Sequence, residues 1–147
     1  MMKINWTRIV LGAIAYVVVA YVLHTISAMI TMNYYTDPNY FAVWSKIMMP
    51  TAGPPPIEFT YYSLAFSFIV ALIYSYIYVD LKNIIKGTAI KKGLKYGFLI
   101  FLLEGIPFFF TTYLLVNLPL GLLIYWLIID GLLTYLIGGI AIAWLNK

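Results

Sequence analysis

The chain has no cysteine, a single histidine and little charge. Of 147 residues, 10% are Asp, Glu, Lys or Arg, against 64% hydrophobic. A soluble domain carries about a quarter charged residues, so a water-soluble fold could not cover this much apolar surface. The missing cysteine excludes disulfides, iron–sulfur clusters, thiolate catalysis and cysteine-rich zinc sites. With His24 alone, no protein-only transition-metal centre is expected, and no cofactor. The net charge of +4 would suit nucleic acid, but the lysines sit where membrane topology puts them, so no nucleic-acid partner is expected.

What the sequence does have is long apolar runs, at 9–32, 57–79, 96–118 and 120–145. Each exceeds the roughly 20 residues that cross about 30 Å of hydrocarbon. The first is too long for the h-region of a signal peptide, roughly 7 to 15 residues, and reads as a retained helix. Lys3, Arg8, Lys82, Lys86, Lys91, Lys92, Lys95 and Lys147 fall on one side of these runs, and Lys46 alone on the other. By the positive-inside bias both termini are cytoplasmic, in an integral protein of the plasma membrane. The expectation is one all-α domain, 1–147: a four-transmembrane-helix bundle with an outer loop at 33–56 and a basic cytoplasmic loop at 80–95. Lys82, Lys86, Lys91, Lys92 and Lys95 of that loop would meet anionic headgroups of the lipid bilayer.

Local signals add detail. In the outer loop Asp37 can cap a helix that starts at Pro38, and Pro50 stops it. Tyr40, Val43, Trp44, Ile47 and Met48 then share one face of a short amphipathic helix, lying on the membrane or packed over the bundle mouth. A lid or partner surface centred on Tyr40, Trp44 and Met48 is the sharper alternative. Three prolines in "TAGPPP" make a stiff strut into the second helix. Tyr61 and Tyr62 at one end of that helix, and Tyr74, Tyr76 and Tyr78 at the other, fit interfacial belts. Its small residues Ser63, Ser67, Ala71 and Ser75 recur every fourth position, a stripe that admits another helix closely, from this chain or from other membrane subunits. Ala13, Ala20 and Ser27 offer a second stripe, at heptad spacing, on the first helix.

Three ionisable residues lie within the apolar runs. At about 1.5 Å per residue, Glu104 sits roughly 13 Å from the basic side, Asp130 roughly 22 Å and His24 roughly 24 Å. A charged carboxylate at such depth costs about 2.5–3.5 kcal/mol on insertion scales, so each should face the bundle interior, paired or neutral. The expected arrangement is Asp130 paired with His24, and a protonated Glu104 bonded to a carbonyl freed by the break at Gly105 and Pro107, since proline has no N–H to give it. Thr111, Thr112, Asn117 and Tyr125 would extend a polar track from Glu104.

Three functions suit this pattern. A non-catalytic accessory or assembly subunit of a larger membrane complex ranks first, because it explains the small size, the helix-contact stripes, the interfacial helix and the lack of a nucleophile with its base. A small proton-coupled transporter using Glu104 and Asp130 ranks second, and an intramembrane enzyme acting on a lipid or isoprenoid third. Helix count and a membrane carboxylate resemble the small multidrug-resistance transporters, but their essential glutamate lies in the first helix. The first helix here has no acidic residue, and the resemblance ends at helix count.

Overall fold

The computed structural model describes residues 5–51 and 54–147. Four helices are long and apolar enough to span a membrane: Trp6–Ile30, Ile57–Leu81, Ala89–Leu115 and Leu120–Leu145. They are numbered first to fourth in chain order. The architecture is that of an all-helical integral membrane protein, with no strand among the described residues. The topology expectation for Lys3, and the part of the proline strut at Ala52 and Gly53, lie outside the described residues.

The chain runs up, down, up and down, so Asn5, the 82–88 connection and Lys147 share one end of the bundle, here the terminal end. The 31–56 segment and the turn before Leu120 share the other, the loop end. At the terminal end the Asn5 side chain accepts the Arg8 N–H at 3.2 Å and starts the first helix. At the loop end Thr31 stops it, with both its N–H (3.0 Å) and its Oγ1 (2.6 Å) on the Ser27 carbonyl.

Most helix ends fall within three residues of the sequence expectation, and two larger departures have physical reasons. The third helix starts at Ala89, not at 96, because Thr88 Oγ1 accepts the Lys91 N–H at 3.4 Å and caps it there. Lysine is a good helix former, and its long stem lets the ammonium reach backward. Lys92 Nζ donates to the Lys82 carbonyl at 2.6 Å, and Lys95 Nζ to that of Lys86 at 3.2 Å. The basic loop therefore shrinks from 80–95 to the connection at 82–88, where Gly87 takes a φ of 131° that other residues rarely adopt.

The outer segment is also not a continuous amphipathic helix. After the single turn Met32–Tyr35, Asp37 does cap, accepting the Asn39 N–H at 2.9 Å, but the element it starts is a six-residue 3₁₀ helix, Pro38–Val43. Trp44 then goes extended. In that conformation its indole stacks on Tyr35 (4.8 Å) and meets Trp126 edge-on (6.2 Å), and the run Asn39–Val43 has little helix propensity to oppose this. Tyr40, Trp44 and Met48 consequently share no single helical face. Instead the segment lies across the loop end of the bundle, with Met49 buried beneath it.

The terminal half of the bundle is closed by backbone contact. A Cβ on Gly93 would stand 2.5 Å from Ile140 Cα, one on Gly139 would stand 2.5 Å from the Gly93 carbonyl oxygen, and one on Gly97 would strike the Tyr135 carbonyl. The third and fourth helices thus touch backbone to backbone, the arrangement that small residues four apart allow in lipid. On the fourth helix's other side Gly138 receives the ring of Tyr16, and Gly12 of the first helix lies against Ser75 and Asn146. The second helix packs on the first through Ala71 and Ser75, both fully buried.

Tyrosines fill the space between the second helix and its neighbours across the bundle. Tyr74 and Tyr78 are 7% and 1% exposed, so they belong to the core and not to an interfacial belt. Tyr16 and Tyr135 meet Tyr74 edge-on, at 5.4 and 6.1 Å, and Tyr96 meets Tyr78 at 5.2 Å. The Tyr96 hydroxyl donates to the Tyr74 carbonyl at 2.6 Å. Tyr76 stays outside, stacked on Trp6. Gly97→Ala should destabilise the bundle by about 1–3 kcal/mol, because the obstacle is backbone that cannot rotate away. Gly131→Ala, whose Cβ would meet nothing nearer than 3.4 Å, should be neutral or stabilising by up to about 1 kcal/mol; reversible unfolding in mild detergent measures both.

Candidate functional site

Both intramembrane carboxylates sit where a helix changes its winding. The third helix is π-helical over Phe101–Gly105, with the Ile106 N–H bonded five residues back to the Phe101 carbonyl. Pro107 follows in the first turn of the next α-helical stretch, Ile106–Leu115. Because Pro107 has no N–H, the ordinary four-residue ladder cannot run through this point. The break at Gly105 and Pro107 therefore takes the form of a π turn. The fourth helix is π-helical over Trp126–Leu133, closed by Thr134, whose N–H and Oγ1 both reach the Ile129 carbonyl, the latter at 3.0 Å. Glu104 lies in the first π segment and Asp130 in the second. Single π turns inside α-helices occur frequently at functional sites.

Each carboxylate has partners from other helices. Asp130 Oδ1 lies 3.1 Å from His24 Nδ1, and its Oδ2 accepts from Ser27 Oγ at 2.7 Å, so the first helix holds both oxygens. The Glu104 side chain turns away from the carbonyls of its own helix. It accepts the Tyr74 hydroxyl of the second helix through Oε2, and the Tyr135 hydroxyl of the fourth helix also faces it. All four helices thus meet at the acidic centre.

Two cavities flank this centre in the loop-side half of the bundle. One, about 370 Å³, is walled by Phe108, Phe109, Leu123, Trp126 and Leu127. The other, about 320 Å³, is walled by Tyr16, Tyr21, Ser63, Phe66, Ser67 and Val70. His24, Glu104, Asp130 and Tyr135 line both, and among the described residues no Lys or Arg lines either. The His24 side chain keeps 57% of its surface exposed and Asp130 21%, so the pair borders open space. Thr111, Thr112, Asn117 and Tyr125 line neither cavity, and the polar track drawn through them is not formed.

The small-residue stripe divides between two roles. Ala71 and Ser75 are in the core, whereas Ser63 and Ser67 face the second cavity. At the loop end a third space of about 280 Å³ runs from His24 to Tyr35, Met48, Met49 and Phe59. Tyr35, Trp44 and Trp126 stand beside it as an aromatic cluster, with Trp126 Nε1 donating to the Tyr35 hydroxyl at 3.2 Å. Burial pushes the Tyr35 phenol above its ordinary pKa, so it remains neutral at physiological pH.

Sequence reasoning overlooked Tyr74 and Tyr135 as partners of Glu104. A signal existed: Ala71, Tyr74, Ser75 and Tyr78 follow the spacing i, i+3, i+4, i+7, which marks one buried helix face. Among the described residues no three His, Asp or Glu side chains are grouped to hold a metal ion. What the centre can do is take up, hold and release protons beside a space large enough for a small solute.

No protein-family model matches this chain, nor does any curated protein or solved structure. The fold and the centre define a class all the same: a four-helix membrane bundle with an acidic centre between two cavities. Ser27→Ala, which removes the buried donor to Asp130, should cost about 0.6–1.7 kcal/mol, the range for interhelical bonds in membranes. Thr25→Ala removes only a hydroxyl bonded at 2.7 Å to the Tyr21 carbonyl of its own helix and should change stability by less than about 0.5 kcal/mol. Unfolding of the two variants side by side in one detergent checks the difference.

Proposed function

We propose that this chain is a small proton-coupled transporter in which Glu104 and Asp130 carry the proton. The observation that carries the reading is that both carboxylates, each on its own π segment, line both cavities. A residue that served only to repair a helix break would need no such access. The lining also favours one kind of solute. Carboxylates without a lysine or arginine to neutralise them, beside faces of Trp126, Phe108 and Phe109, suit an apolar molecule that bears a positive charge. Cation and proton then compete for the same carboxylates, and that competition couples the two movements.

The lysines at the terminal end favour a cytoplasmic position for both termini, in a plasma membrane, by the positive-inside bias. In that orientation both cavities lie in the outer half of the bundle. The accessory-subunit reading loses ground because Ala71 and Ser75 are covered by helices of this same chain, and Ser63 and Ser67 border a cavity. They are not left free for a second protein.

The test uses proteoliposomes loaded with a pH-sensitive dye and held at a pH gradient, with tetraphenylphosphonium as the cationic probe. The reading expects proton release that requires both protein and probe. Glu104→Gln and Asp130→Asn should lose it by about a hundredfold or more, and Glu58→Gln, in the first turn of the second helix, should retain it. Wild-type protein that moves no protons, or an unaltered rate in Glu104→Gln, overturns the proposal. A partner chain that co-purifies in mild detergent would return the accessory reading to first place.

A further inference from the structure

The terminal end holds a fourth space, unrelated to the acidic centre. It measures about 580 Å³ and is bordered by Lys82 after the second helix, Lys92 in the first turn of the third and Lys147 at the end of the fourth. No Asp or Glu lines it, and the main-chain oxygen of Lys147 accepts from the Arg8 guanidinium. Among the described residues no lysine is within ion-pair distance of an acid; the one ion pair is His24 with Asp130.

The ammonium groups are positioned by backbone carbonyls and a ring. Lys82 Nζ donates to the Asn146 carbonyl at 2.9 Å, and Lys92 Nζ to the Lys82 carbonyl at 2.6 Å. Lys147 Nζ sits 4.8 Å from the centre of the Trp144 ring. Each ammonium has three N–H donors, and these contacts use one apiece from Lys82 and Lys92, leaving the others for a ligand. Three like charges around one space repel one another until an anion enters it.

The backbone adds to the same preference. Gly87, at its positive φ, turns the chain so that Thr88 and the start of the third helix border the space together with Ala89 and Ile90. Thr88 Oγ1 accepts from Lys91 N, so its own O–H remains to donate. A helix start with an uncommitted hydroxyl, set among three ammonium groups, matches the donor set that phosphate oxygens take up.

We infer that this space is a binding site for a phosphate group. Ile90 and Trp144, both more than half exposed, border it on the bundle surface, so acyl chains can continue outward from the phosphate. That arrangement favours an anionic phospholipid as the source over a soluble phosphate. Lys82, Lys92 and Lys147 form the site, and Lys86, Lys91 and Lys95 do not border it.

The experiment is native mass spectrometry of the full-length protein from detergent micelles, titrated with phosphatidic acid or phosphatidylcholine of equal chain length. A parallel arm follows the ³¹P line width of inorganic phosphate. Phosphatidic acid should bind in preference to phosphatidylcholine, and the pair Lys82→Gln with Lys92→Gln should weaken it by about tenfold or more. The pair Lys86→Gln with Lys91→Gln, outside the space, should leave it unchanged. Line broadening of inorganic phosphate that the Lys82/Lys92 pair abolishes, without a preference for phosphatidic acid, assigns the site to soluble phosphate. If the double substitution loosens the bundle, Lys147→Gln carries the same comparison. Binding of neither phosphate source, or equal weakening by both pairs, overturns the inference.

Discussion

The rest of the structure depends on the backbone contact of Gly93 and Gly97 with the fourth helix around Tyr135, Gly139 and Ile140. In lipid no hydrophobic force drives two apolar helices together, so association rests on close packing and interhelical hydrogen bonds. Glycines supply the closeness. Once the third and fourth helices are joined there, Gly138 is turned toward Tyr16 and Gly12 toward Ser75, and one end of all four helices is drawn into a dry core. The same contact leaves the opposite half of the bundle less filled, and the two cavities beside Glu104 and Asp130 lie there.

The π segments begin where that tight half ends. Gly97 is the last glycine in backbone contact with the fourth helix, and Phe101 opens the π turn four residues later. An extra residue in a turn rotates everything beyond it about the helix axis, so the direction of Glu104 and Asp130 is set by the winding as well as by their position in the sequence. Partners then come from outside each carboxylate's own helix: Tyr74 and Tyr135 for Glu104, His24 and Ser27 for Asp130. These contacts allow two acidic groups to persist in an apolar bundle while still bordering open space. The second helix, held on one side by the first and bridged to the third by tyrosine hydroxyls, has the least backbone contact of the four.

Much of this was legible in the sequence. Four apolar runs define four helices, and the depth count placed His24 and Asp130 at one level. The winding was not legible, because a π turn leaves no mark in hydrophobic periodicity over a few residues; Pro107 announced a break without announcing its form. The glycine pair Gly93 and Gly97 stands at the correct spacing in plain view. It was hidden by Lys91, Lys92 and Lys95, which made the segment read as a loop although the lysine stems carry their charges away from the helix. The Trp44 segment misled for the opposite reason. Its periodicity was helical, but aromatic stacking on Tyr35 and Trp126 overrode a weak local preference.

If one half of the bundle is a rigid glycine-packed clamp and the other half, with its two π segments, is where the helices move, the backbone of the two halves opens at different rates. Amide hydrogen exchange of the protein in nanodiscs, read at the level of short peptides, tests it most directly. Slow exchange is expected over 89–100 and 136–143, and faster exchange over 101–109 and 126–133 at equal distance from the helix ends. Uniform protection along the third and fourth helices, or faster exchange in the glycine-packed half, would contradict it.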